Sequence, residues 1–344
     1  MRTCITRRKS MKHKYLLIND CTDPYYNLAL EEYLLLNHRE GPIGLLWQND
    51  QTIVVGRHQN TIEEINQSYV KEHGIKVVRR TTGGGAVYHD LGNLNYSLIT
   101  DYDREGSHPA MSELAYPVID TLESFGVHAS FSGRNDIMIE GKKVSGTAQR
   151  IYEERILHHG CLLFESDLSK VSKSLNVRAD KFSSKAVKSV RGRVANIRDF
   201  LTEDTSIEEF KERLAQHLLG EGSWVELELD QRDKQEIEKL KREKYETWEW
   251  NYGLPIKYSA HNYRKFPGGT VEVYLNINKG RIETCQMFGD FMALRPASEV
   301  AGKLEGCRYR NKDVERILAG LSIEEYFGTV SIGEVAKTIC CAEE

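Results

Sequence analysis

The sequence contains no run of about 18 uncharged apolar residues, so it offers no candidate for a membrane-spanning helix. It contains no C-x-x-C. The seven cysteines, at 4, 21, 161, 285, 307, 340 and 341, are odd in number and lack zinc or redox-pair spacing, and read as reduced thiols of a cytoplasmic protein. A basic excess is also missing: 47 Lys and Arg face 51 Asp and Glu, a net charge of −4, which argues against a dedicated nucleic-acid binder. Residues 1–10 are basic but lack the apolar stretch of a signal peptide. They read as a disordered extension or an upstream start, with folded structure beginning near Met11. The familiar nucleotide and metal signatures fail as well. Gly83-x-Gly85 lacks the third glycine of a dinucleotide fingerprint, Gly141-Lys142-Lys143 is followed by neither Ser nor Thr, and there is no H-E-x-x-H. Any ATP must bind by another scheme.

What is present is an ordinary globular composition, 40% apolar and 28% charged over 344 residues, long enough for two domains or one large domain with an appendage. Periodicity predicts a strand at 15–18 and a helix from Asp23-Pro24 to Asn37, with a cap residue followed by proline. Strands at 43–47 and 52–55 are expected to form a hairpin through Asn49-Asp50. A helix at 62–72 and a strand at 75–79 lead to Thr81-Thr82-Gly83-Gly84-Gly85. Further strands are expected at 94–100, 137–139, 144–151 and 156–164, with helices at 110–125, 206–219 and 232–248. Many strands joined by short turns predict an α+β fold around a mixed, largely antiparallel sheet. A hairpin at 271–287 around Asn278-Lys279-Gly280 and helices near 298–304 and 314–321 predict a small α+β C-terminal domain. The expected division is 11–253 and 254–344. Residues 178–198 carry seven Lys and Arg against Asp180 and read either as a solvated loop or as one that handles an anion.

Two stretches carry chemistry. In Arg79-Arg80-Thr81-Thr82-Gly83-Gly84-Gly85-Ala86-Val87-Tyr88-His89-Asp90, three glycines after a strand let backbone N–H groups approach an anion, and two arginines supply planar donors for carboxylate or phosphate. In Gly133-Arg134-Asn135-Asp136 and Lys143-Val144-Ser145-Gly146-Thr147-Ala148-Gln149-Arg150, small residues leave room for a ligand beside the Lys143 ammonium. His158-His159-Gly160-Cys161 has no carboxylate at metal-ligand spacing, which favours hydrogen bonding or packing. Cys161 is expected to be a buried, inert thiol.

These motifs, in this order, resemble those of bacterial lipoate–protein ligases from about Tyr15 onward, including Trp248-Glu249-Trp250-Asn251-Tyr252-Gly253 at the domain junction. The resemblance implies a biotin/lipoate ligase-type catalytic domain with a C-terminal accessory domain. It implies a two-step reaction in which (R)-lipoate and Mg-ATP give lipoyl-AMP and pyrophosphate, and a lysine of an acceptor lipoyl domain then forms an amide. The acceptors implied are 2-oxoacid dehydrogenase E2 subunits and the glycine-cleavage H protein; the enzyme is expected to be a cytoplasmic monomer. On matching positions, Lys143 would be catalytic and touch both substrates. Arg80, Gly85, Ala86, Val87, Tyr88, Asn135 and Asp136 would contact ATP or the adenylate, with Asp136 nearest the Mg²⁺. Trp47, Arg80, Thr82, Gly84, His89, Arg150 and His159 would bind or shape the lipoate site, and 178–198 would cover the adenylate. The rival implied by the same fold is an ATP-independent octanoyl or lipoyl transferase, which would need a cysteine nucleophile. A biotin ligase and a non-catalytic binding protein fit the residues less well.

Overall fold

The computed structural model describes residues 13–102, 110–133, 135–176, 193–220, 222–253 and 258–340. Residues 1–10, and 178–192 of the basic stretch, lie outside these. Eight strands form the main sheet: β1 (Tyr15–Asn19), β2 (Ile43–Trp47), β6 (Asn93–Asp101), β7 (Ala129–Ser132), β8 (Asp136–Ile139), β9 (Lys142–Tyr152), β10 (Arg155–Leu163) and β11 (Val225–Glu226). Their order is β11-β1-β2-β6-β10-β9-β8-β7. The β11–β1 and β1–β2 pairs are parallel, and the rest are antiparallel.

Both faces of this sheet are covered, which explains the unbroken apolar run of β2. On one face Leu46, Leu94, Tyr96, Leu98 and Leu162 pack with the helices Tyr116–Ser124 and Ile207–Leu218. On the other, Leu45, Trp47, Ile99 and Leu157 pack beneath the helix Pro24–Asn37. That helix starts as its sequence requires: Asp23 caps it by accepting from the Tyr25 N–H.

The expected 43–55 hairpin does not form. β2 joins the main sheet, whereas β3 (Thr52–Val55) lies between β4 (Lys76–Arg79) and β5 (Val87–His89) in a separate sheet, parallel to β4 and antiparallel to β5. Asn49-Asp50 carries the chain between sheets because the Asn49 side chain is held inward by Asn27. The expected helix 62–72 divides into Thr61–Glu64 and Gln67–Glu72 at Asn66, which caps the second piece. The helix expected at 232–248 begins at Gln231 and ends at Leu240, continuing as a π-turn over Lys241–Tyr245.

The C-terminal unit is an antiparallel sheet of β12 (Ala260–Phe266), β13 (Gly269–Asn278) and β14 (Arg281–Gly289) covered by four helices between Ala297 and Cys340. Lys279 and Gly280 take positive φ of 47° and 71°, the conformation a two-residue hairpin turn demands. Strand β12 escapes the hydrophobic pattern because it is a polar edge strand. The unit meets the rest of the chain at the glycine-rich segment. The Gly84 N–H donates to the Phe291 carbonyl at 3.3 Å, and the Gly289 N–H donates to that of His58 at 2.6 Å. Among the described residues no helix is long and apolar enough to cross a membrane.

Candidate active site

The strand register lays one row of residues across the main sheet. Asp136 opposes Gly146, Gly146 opposes Cys161, Cys161 opposes Asn95, and Asn95 opposes Trp47. Directly opposed residues share a face, and Gly146, Cys161, Asn95 and Trp47 together form the floor of a cavity of about 150 Å³. From Gly146 to Trp47 the floor crosses three strand spacings, roughly 14 Å. The roof is Leu28 with the loop Gly84–Val87. The outcome is a trough with a charged end and an apolar end. Lys143 and Asn135 stand at the first, and Trp47, Leu28 and Val54 line the rest.

Lys143 forms an ion pair with Asp136, Nζ to Oδ1, at 2.6 Å. Glycine at 146 leaves the ammonium room: a Cβ there would lie 3.0 Å from the Lys143 Nζ and 3.2 Å from Cε, and the lysine tip would have to give way. Asn135 holds the neighbouring backbone, donating from Nδ2 to the Thr147 carbonyl at 3.0 Å. The Lys143 carbonyl accepts from the Ala195 N–H at 3.0 Å, so the described end of the basic stretch is fastened beside the ammonium.

The two arginines before the glycines do something other than wait for an anion. Arg80 is buried. Its Nη2 donates to the carbonyls of Gly83 at 2.7 Å and Gly85 at 2.8 Å, its Nη1 to that of Val54, and its Nε to Thr82 Oγ1. It is thus the internal frame of the glycine-rich loop, with one edge on the cavity. Arg79 turns away altogether: it donates to the carbonyls of Gly56, Arg57, Gln59, Trp250 and Asn251 and to Thr61 Oγ1. Burial pushes both guanidinium pKa values down to about 10, helped at Arg79 by Arg57 and Arg80. Arg79 supplies no donor to the cavity, contrary to the expectation for an arginine pair.

A hydrogen-bonded chain runs along the wall. Glu31 Oε1 receives the Ser97 hydroxyl at 2.6 Å and His159 Nδ1 at 2.8 Å. His159 Nε2 faces Thr82 Oγ1 at 2.8 Å, and Trp47 Nε1 donates to Ser97 at 3.2 Å. With the proton on Nδ1, the imidazole donates to Glu31 and accepts from Thr82, which accepts from Arg80; every proton has one destination. The chain therefore ties the apolar floor at Trp47 to the loop framed by Arg80.

Other sequence-predicted residues sort clearly. Gly84, Gly85, Ala86, Val87 and His89 line the cavity, and Gly84 has a φ of +89°. Thr82 is fully buried and acts through His159. The Tyr88 ring points the opposite way, into the small-sheet core with Ile53, Val55 and Val77, because side chains alternate along β5; it is not a wall residue. Arg150 shares the floor's face of β9, but lies farther along, where its Nη1 pairs with Glu32 Oε1 at 2.8 Å. It fastens the covering helix and does not line the trough. Cys161 is half-buried on the floor, not deep in the core, and its Sγ lies 3.8 Å from the Gly146 carbonyl.

The chain matches two family models: the lipoyl protein ligase A/B catalytic domain over residues 23–219, and the bacterial lipoate protein ligase C-terminus over 256–339. It is 42% identical to lipoate-protein ligase LplJ of Bacillus subtilis, over 90% of this chain and 94% of that one. The chain belongs to the lipoate–protein ligase family. It is an enzyme of the ligase class. Lipoate–protein ligase 1 of Staphylococcus aureus is also 42% identical, over 94% and 99%. Among solved structures, P. falciparum LipL1 in complex with lipoate superposes with a TM-score of 0.78 at 25% identity, covering 90% of this chain and 95% of that one. Lipoate-protein ligase A bound with ATP gives 0.60 at 29%, covering 71% and 100%. A bipartite lipoate protein ligase of Thermoplasma acidophilum, from a structural analysis of that ligase and its E2 lipoyl domain, gives 0.62 at 30%, covering 72% and 100%.

Sequence reasoning missed Glu31, Asn49, Asn95 and Ser97 of this lipoate–protein ligase. The signal was there in β6, where Asn95 and Ser97 alternate with Leu94, Tyr96 and Leu98: polar residues on a strand buried on both faces mark a cavity. The close fit of the loop also yields a prediction. A Cβ at Gly56 would sit 1.9 Å from the Gly84 carbonyl oxygen, backbone that cannot swing aside. Gly56→Ala is expected to displace the glycine-rich loop and cost on the order of 10²-fold in activity, a misplacement effect, measurable as lipoate-dependent pyrophosphate exchange.

Proposed function

We propose that this enzyme activates (R)-lipoate with Mg-ATP to lipoyl-AMP, releasing pyrophosphate, and then passes the lipoyl group to a lysine of apo lipoyl domains. The observation that carries the reading is the trough itself: one ammonium, Lys143, at the charged end of an apolar floor long enough for a medium-length acyl chain. Laid along the row, such a chain places its carboxylate at Lys143 and its far end at Trp47.

The chemistry follows from charge. A lipoate oxygen attacks the α-phosphorus while pyrophosphate leaves, so two anions must be brought together. Lys143 would neutralise the approaching carboxylate and the charge gathering at phosphorus, without a covalent enzyme intermediate. The backbone of Gly85, Ala86 and Val87, held in shape by Arg80, would cradle the phosphate, and Asn135 would complete that side. In the second step an acceptor lysine amine attacks the acyl carbonyl and AMP departs. Mg²⁺ would arrive on the nucleotide phosphates. Asp136, already paired with Lys143, is the nearby carboxylate. We assign the acceptors to E2 subunits and the H protein, catalysis to residues 11–253 with an accessory domain at 254–344, and the location to the cytoplasm, in keeping with the free thiols at Cys21, Cys161, Cys285 and Cys307.

The test is pyrophosphate release on mixing with lipoate and Mg-ATP. A lipoate-dependent burst of about one equivalent, turning over when an apo lipoyl domain is added, is expected for a tightly held adenylate. Absence of release would overturn the reading. Because Cys161 faces the trough, the transferase alternative also has a test. Cys161→Ser is expected to keep turnover within about an order of magnitude, since no covalent step runs through the thiol. A dead variant that still folds would favour thiol chemistry.

A further inference from the structure

The row of opposed residues that floors the trough continues past Gly146. Asp136 opposes Ser132, and the neighbouring row runs from Lys143 through Met138 to Ser130. The cavity lining ends at Lys143, Asn135 and Gly146. Beyond it the same face of the sheet goes on as a shelf, on which Asp136 and Met138 are half-buried and Ser130 and Ser132 exposed.

The shelf ends at β7, the last strand of the main sheet, which among the described residues pairs with β8 alone. Ala129 and Phe131 hold β7 from below, packed against the core. An antiparallel strand turns alternate residues toward each of its neighbours, so half of the β7 N–H and C=O groups point out of the sheet. Such an edge is a template for a further strand, and proteins blunt it with charge, proline or brevity. The outer strands β11, β12 and β14 follow that rule. β11 is cut to two residues, β12 carries His261, Arg264 and Lys265, and β14 carries Arg281 and Glu283. β7 reads Ala-Ser-Phe-Ser, with neither charge nor proline.

The reaction says what this edge would hold. The acceptor amine must reach the acyl carbonyl beside Lys143. At the opposite end of the trough Trp47, Asn49 and His89 are all buried, which leaves the shelf as the open approach. A strand added outside β7 lies three strand spacings from β9, roughly 14 Å, farther than a lysine side chain reaches. The lysine must therefore stand on a turn that leaves the added strand and crosses the shelf, where the two serines are small enough to leave the way clear. We propose that β7 is the docking edge for the acceptor. One strand of a β-structured acceptor domain pairs with Ala129–Ser132, and an adjoining turn delivers the lysine to Lys143. The proposal rests on the lipoate-activating reading above.

The experiment is hydrogen–deuterium exchange on the full chain, with and without a saturating apo E2 lipoyl domain. The outward amides of 129–132 are expected to slow about tenfold when the acceptor binds, the worth of one or two backbone hydrogen bonds. Ala129→Pro and Ser130→Pro remove N–H groups of opposite sense, so one of the two strikes only the outward side. That variant, recognised by unchanged lipoate-dependent pyrophosphate exchange, should raise the acceptor KM about tenfold. Amides of 129–132 that do not slow while transfer proceeds would overturn the proposal, whichever variants fold. So would an unchanged acceptor KM in every proline variant that keeps pyrophosphate exchange. Slowing that needs no acceptor and grows with protein concentration would give the edge to a second copy of this chain and overturn it as well. No lipoate-dependent exchange by the unaltered protein would instead overturn the lipoate-activating reading itself.

Discussion

Lys143→Ala is expected to lose lipoyl-adenylate formation by at least about 10²–10³-fold, the usual cost of removing one charge aimed at a transition state. The loss should appear in lipoate-dependent ATP–pyrophosphate exchange, before any acceptor is involved. Stability should barely change: the Lys143–Asp136 pair is one-third exposed on both sides, and such pairs contribute only about 0–1 kcal/mol. Lys143→Arg should be nearly as damaging. An arginine would replace the compact ammonium beside Gly146 with a larger planar guanidinium, whose fixed fork of donors does not put its charge at the same point. Activity above a few per cent in the alanine variant, with a normal unfolding curve, would take the charge-neutralising role away from Lys143.

Much of this site was legible as chemistry and little of it as geometry. The run from Arg79 to Asp90 and the segment around Lys143 announced a ligand because glycines and cations stood together after strands. The β6 and β9 strands were also readable, since their apolar alternation survives burial. The hairpin at 43–55 was misread because two adjacent apolar strands pair locally by default, whereas here the inward pull of Asn27 on Asn49 sends β3 into another sheet. Arg79 and Arg80 look alike in sequence, yet alternation along the chain turns one toward Asn251 and the other into the loop. Glu31 and Glu32 escaped notice for a different reason. A Glu-Glu pair in a helix ordinarily faces water; only the tertiary structure shows this helix covering the sheet, with both carboxylates beneath it.

Glu32 carries the second large effect, on stability rather than chemistry. It is 4% exposed, and its Oε2 receives Lys244 at 2.5 Å and the Tyr245 hydroxyl at 2.8 Å, while Oε1 receives Arg150. One carboxylate thus joins the Pro24–Asn37 helix to β9 and to the π-turn. Arg57 stacks on the same Trp250 that Lys244 covers, so three cations crowd around Glu32. Burial by itself would raise the Glu32 pKa, but Lys244 and Arg150 together outweigh it and hold the carboxyl below its ordinary value. A carboxylate with a depressed folded pKa stabilises the fold above its unfolded pKa, and that contribution disappears as pH falls through the folded value. Glu32→Gln keeps the shape and strands the cations. It is expected to cost about 3–5 kcal/mol at neutral pH, the range for breaking a buried ion pair, and to lower Tm by roughly 5–15 °C. The gap between variant and unaltered protein should narrow on acidification below the ordinary carboxylate range, where the native carboxyl loses its charge as well. Denaturant unfolding of both proteins across that range checks the sign. A gap that stays constant with pH would mean that Glu32 acts by shape and hydrogen bonding, with its charge contributing nothing.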